Sequence, residues 1–160
     1  MQPLLPTLFQ AKAWAGQQLF ALLEQQLPGL SEEKQTAVLR MLNHVWLVEQ
    51  IFQANLQQQP HGLDALNTPD TPTLAELQAR QQASDGWYQH YLPGLDAAAL
   101  EQAVDFRFVD GKPGRMLRSE MLLHLISHGS YHRGMVGRML VEAGIQPPKD
   151  SLTIFLHQAA

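Results

Sequence analysis

Hydrophobic and polar positions alternate along this chain with helical periodicity in four long segments. The first, from about Thr7 to Gln26, stops at Pro28-Gly29. Ser31 is a good N-cap for the second, which carries Val38, Met41, Leu42, Val45, Val48, Phe52 and Leu56 and fades in Gln57-Gln58-Gln59-Pro60. So short a connection predicts that the first two helices are antiparallel neighbours. The stretch from Pro60 to Pro72, PHGLDALNTPDTP, is crowded with turn residues and carries no apolar stripe. Extended, it spans about 40 Å, roughly the length of a long helix, so the second and third helices can run parallel.

Thr73 with Glu76 forms a capping box that opens the third helix, which continues through Leu77, Ala83, Trp87, Tyr88 and Tyr91 to Pro93-Gly94. After a short helical piece at Asp96 to Ala103, the alternation of Val104, Phe106 and Phe108 and a turn at Asp110-Gly111 predict a small hairpin or irregular excursion. The last long helix begins near Leu117 and ends at Gly144, a C′ glycine with Pro147-Pro148 beyond it. The tail SLTIFLHQAA reads as a short packed segment. No sheet-forming run and no internal repeat occurs, so the expectation is an all-α helical bundle forming one domain over residues 1–160.

Composition narrows the functional classes. Cysteine is absent, which removes disulfides, thiolate ligands and a cysteine nucleophile. A net charge of −4 argues against nucleic acid as a partner. The amino-terminal helix lacks a basic segment and is interrupted by Gln10, Lys12, Gln17 and Gln18, so it is read as neither signal peptide nor membrane span, and a cytoplasmic location is expected. Charge is uneven, however. Arg107, Lys112, Arg115, Arg118, Arg133 and Arg138 stand against only Asp110 and Glu120, giving that segment +4 and the rest of the chain −8. A solvated face explains this; the functional reading is a positive rim favouring an anionic small molecule.

The candidate chemistry lies in Met121 to Leu140, MLLHLISHGSYHRGMVGRML. Met121, Leu125, Met135 and Met139 mark one helical face, and His128 and His132 continue it one turn apart. Two histidines at this spacing can reach one transition metal, and an imidazole pointing into the protein needs a partner. No glutamate follows His128, so this is not the zinc-protease HExxH arrangement. His44 is the best third ligand, since Met41, Leu47, Val48 and Ile51 place it on an apolar face of the second helix. His124 competes, but ligands at i, i+4 and i+8 span about 12 Å of helix, too far for one ion; pocket lining or helix surface suits it better. His61, His90 and His157 suit solvated roles.

These residues resemble a known family. LNHVWLVEQIF around His44, HLISHGSYHRGMVGRML and the following GIQPPKDSLTIFL are similar to the DinB/YfiT-like family of metalloenzymes, which is unrelated to the translesion polymerase of the same name. The resemblance covers nearly the whole chain and implies a four-helix bundle with an up-down-down-up course. It also implies a divalent metal held by His44, His128 and His132. Where the family often has Asp five residues after its first histidine, this chain has Glu49, and Tyr131 replaces a histidine common before the last ligand.

Three imidazoles leave one tetrahedral position for a water or a substrate thiolate, as in catalytic rather than structural zinc sites. Related family members resemble thiol-dependent transferases and isomerases. The leading expectation is therefore a metal-dependent enzyme in S-transfer or stress detoxification, taking a small-molecule substrate with a low-molecular-weight thiol, and zinc or nickel as the ion. Glu49, His124 and Arg133 are the candidate catalytic residues: Glu49 as a proton acceptor, Arg133 as an anchor for an anionic substrate. The alternatives are a metal-dependent hydrolase and a non-catalytic metal-binding stress protein that forms a homodimer through its apolar helices.

Overall fold

The computed structural model describes residues 4–158. They form helix α1 (Leu4–Gln26), α2 (Glu32–Leu56), α3 (Leu74–Tyr91), a one-turn α4 (Ala97–Leu100), strands β1 (Ala103–Arg107) and β2 (Pro113–Leu117), α5 (Arg118–Glu142) and a short α6 (Leu152–Gln158). Among the described residues no helix is long and apolar enough to cross a membrane. The fold is mostly helical, and of the two forms expected for the excursion before the last long helix it takes the hairpin, an antiparallel pair that sets Ala103 against Leu117 and Arg107 against Pro113.

Local sequence explains the boundaries. α1 starts one turn earlier than predicted because Pro6 falls in its first turn, where a missing N–H costs nothing. The same tripeptide, Leu-Pro-Gly, turns the chain out of α1 and α3 in a 3₁₀ segment, with Leu27 and Leu92 buried as anchors. Ser31 Oγ caps α2, and Thr73 and Glu76 cap α3 reciprocally. At the far end of α5, Gly144 takes φ +79°, Ile145 N donates to Leu140 O and Gly144 N to Val141 O, both at 2.9 Å, a Schellman close.

α1 and α2 each pack against α3 and α5, and α2 makes its broadest contact with α5. The prediction that α1 and α2 are adjacent is corrected: they meet chiefly through side chains at the centre. Five residues from Leu27 to Ser31 are long enough to cross that diagonal.

The core has two apolar halves. One gathers Phe9, Val48, Ile51, Phe52, Tyr88, Met121, Leu122 and Leu125. The other gathers Leu19, Leu23, Val38, Leu42, Leu77, Val136 and Leu140. On every long helix the polar residues of interest fall between these two sets: Lys12 on α1, His44 on α2, Gln81, Ser84 and Asp85 on α3, His128 and His132 on α5. Order along the helices also fixes their sense, since α2 and α3 run from the second set to the first and α1 and α5 the other way.

Candidate metal centre

The position of α5 is set at its first residue. Arg118 is buried, and its guanidinium donates to Leu56 O at 2.9 Å, Ala99 O at 3.2 Å, Gln102 Oε1 at 2.9 Å and the Tyr91 hydroxyl. One planar fork thereby ties the ends of α2, α3 and α4 to the start of α5. With that register fixed, residues 128 and 132 of α5 lie opposite residue 44 of α2.

There His44, His128 and His132 each bring a ring nitrogen within 4.8 Å of the other two. His44 and His128 approach most closely, Nε2 to Nε2 at 3.2 Å. Two nitrogens bound to one tetrahedral zinc at about 2.0–2.1 Å would stand about 3.3 Å apart, so the spacing fits a shared ion. His44 Nδ1 lies 2.9 Å from Leu66 O, and a carbonyl can only accept. Nδ1 therefore carries the proton, and Nε2 keeps its lone pair toward His128. His132 Nδ1 is buried with no hydrogen-bond partner, an orphaned atom of the kind a ligand satisfies.

Burial first, then the neighbouring His132, His44 and His124, push the His128 imidazole down to about 3. Burial and then His44 lower His132 as well. Both rings are neutral at physiological pH, the form that binds a metal. All three histidines are half-buried, because the fully buried stripe of α5 runs through Leu122, Leu125, Gly129, Val136 and Leu140. The histidines lie along the edge of that stripe, with one side toward solvent.

A latch holds the carbonyl under His44. Asn43, 0% exposed, donates to Thr68 Oγ1 at 2.7 Å and to Asn67 Oδ1, while Asn67 Nδ2 returns to Arg40 O at 3.0 Å and Arg40 donates to Thr68 O at 3.3 Å. These contacts clamp the long 57–73 segment onto α2. The Asn43 role was not read from the sequence, although a signal existed: Asn43 shares a helical face with Leu39 and Leu47, where a polar residue must find partners.

The three candidate catalytic residues lie elsewhere. Glu49, 1% exposed, meets Lys12 Nζ at 2.8 Å, Ser84 Oγ at 2.6 Å and Gln81 Nε2 at 2.9 Å, between α1 and α3. Five residues turn a helix by roughly 140° relative to the start, so Glu49 faces away from the His44 side. His124 stacks on Phe52 with ring centroids 4.8 Å apart and lies 5.4 Å from the His128 ring; its nitrogens are outside the three-histidine group. Arg133 pairs with Asp150 at 2.6 Å and donates to Ser130 Oγ at 3.1 Å, which ties α5 to the tail. The rest of the basic segment is also engaged: Lys112 with Asp110, Arg115 with Asp105, Arg138 with Glu142, Arg107 with Gly111 O.

A family model described as DinB family matches residues 1–160, the whole chain. The chain belongs to the DinB family. A search of curated proteins returned no match. In this DinB-family chain His44, His128 and His132, which the resemblance implied as ligands, are the residues that converge. His61 and His157 are taken up by local backbone contacts, Leu63 N and Thr153 O respectively.

Proposed function

We propose that this DinB-family protein holds a divalent transition ion, zinc or nickel, through His44, His128 and His132, and acts as a metal-dependent enzyme in thiol S-transfer or stress detoxification. The observation that carries this reading is the convergence of three ring nitrogens within 4.8 Å with no carboxylate in the group. Three ligands suit a site with a position left for substrate. When bound, the ion would supply Lewis acidity and keep a substrate thiol deprotonated.

The chain's own residues do the rest. Leu66 O orients His44, the latch at Asn43 holds Leu66, and Arg118 sets the height of His128 and His132. A thiol is acidic enough to give its proton to solvent near neutral pH, whereas attack by water calls for a proton acceptor within reach. Glu49, the residue on which the hydrolase alternative depended, is committed to Lys12, Ser84 and Gln81. The order of residues between the two core halves supports a four-helix bundle with an up-down-down-up course as the scaffold. A cytoplasmic location and a homodimer complete the proposal.

Elemental mass spectrometry of purified protein tests it. About one transition metal per chain is expected, lost in His44→Ala and His128→Ala and kept in His124→Ala. Loss in His124→Ala with retention in His132→Ala would move the site up one turn. Metal without turnover of any thiol-dependent substrate would leave the non-catalytic alternative.

A further inference from the structure

Beyond His44 along α2, a cleft of about 290 Å³ opens between that helix, Leu66 of the crossing segment and the hairpin. Its walls are apolar: Val48, Ile51 and Phe52 on one side, Phe106 and Phe108 on the other. That volume is at the small end of the range for small-molecule sites, about 300–1,000 Å³. Gly114 shapes the hairpin wall, because a Cβ there would stand 2.6 Å from the Phe106 ring and 2.9 Å from the Phe108 ring. The two phenyl groups lie over bare backbone, edge to face at 5.0 Å.

Two polar residues in the lining can donate to an acceptor. Asn55 is 6% exposed, and its Nδ2 is buried without a hydrogen-bond partner. A buried amide donor left unmet is costly, so a group that meets it is favoured by the site itself. At the rim, Arg107 spends one N–H on Gly111 O and is otherwise exposed. The one acidic residue in the lining, Asp110, is held by Lys112 at 2.7 Å, which also lowers its carboxyl below the usual range.

We infer that this cleft binds an apolar carboxylate, with the acid group on Asn55 and Arg107 and the hydrocarbon body against Phe52, Phe106 and Phe108. Asn55 is eleven residues beyond His44, about 16 Å along the helix, whereas Val48 is one turn from it. The acid end is therefore remote from the histidines and the apolar end faces them. This deepens the proposed function by naming a substrate class, and it rests on that reading only for where the reacting end lies.

The test uses octanoate and octylamine as probes on metal-free and zinc-loaded protein, followed by calorimetry and by the ¹H–¹⁵N signals of the Asn55 side-chain amide. Octanoate should bind both forms, shift that amide and outcompete octylamine at least tenfold. Asn55→Leu should weaken octanoate about tenfold, and Asn55→Asp, which keeps the side-chain shape, should weaken it further by repulsion. His44→Ala should leave octanoate binding intact while losing metal, so the cleft and the metal reading fail separately. Equal affinity for the two probes, an unmoved Asn55 amide or undiminished binding by Asn55→Asp would overturn the inference.

Discussion

His44 hangs from the carbonyl of Leu66: the 2.9 Å bond to Nδ1 fixes both the tautomer and the tilt of the ring. Leu66 stays in place because Asn43 clamps Asn67 and Thr68 just beyond it. Asn43→Ala should therefore lower metal affinity by about 10–100-fold although residue 43 touches no metal. Stability should fall by about 1–3 kcal/mol as buried partners are left unmet. Competition against a chromophoric chelator measures the first effect; unchanged affinity would mean that the ring needs no help from the segment.

Acid should destabilise the metal-free protein over a defined window. His128 titrates near 3 in the folded chain against an ordinary 6.5, so between those values the unfolded chain binds more protons. Stability from this ring is undiminished above 6.5 and declines as pH falls toward 3, and the lowered His124 and His132 act in the same direction. Denaturant midpoints of His128→Gln should decline less steeply over that range than those of wild type. A parallel pair of curves would refute the assignment.

Lys12 bridges Glu49 and Asp85, at 2.8 and 2.6 Å. Burial alone would pull its ammonium down, but the two carboxylates outweigh that and hold it above 10.5. Its contribution is complete below that pH and is lost as pH rises through the raised value. Lys12→Met should cost about 3–5 kcal/mol at neutral pH, since it strands buried charge. Burial already raises Asp85, so the deficit should narrow as that carboxyl takes up its proton on acidification.

Gln58 closes α2 with φ +56°, a left-handed conformation that glycine adopts without strain. Gln58→Gly should stabilise the protein by roughly 0.5–1 kcal/mol, the relief being partly offset by a freer unfolded chain. Calorimetry should show a melting temperature about 2 °C higher.

The helices and the three converging histidines were legible because caps, Pro-Gly stops and i, i+4 spacing are local. Ser31, Thr73 with Glu76, and Gly144 each do in the fold what their sequence contexts imply. The histidine pair on α5 was visible by spacing, and His44 by its apolar neighbours. What could not be read was set by distant contacts. Glu49 looked close to His44 along the chain, yet its partners are Lys12, thirty-seven residues before it, and Ser84, thirty-five after it. The same applies to Leu66, whose contribution is a backbone carbonyl with no side-chain signature, and to the diagonal placement of α1 and α2, which a short link permits but does not dictate.

The span between His44 and His132 has a kinetic meaning for the proposed metal site. His44 is made well before His128 and His132, and the Arg118 anchor that aligns them is the first residue of α5. Until α5 is made, the chain can offer an incoming ion only one of the three imidazoles. Tight capture must wait until α5 has docked, so a loaded ion would mark chains that have finished folding, and would then weigh against their reopening.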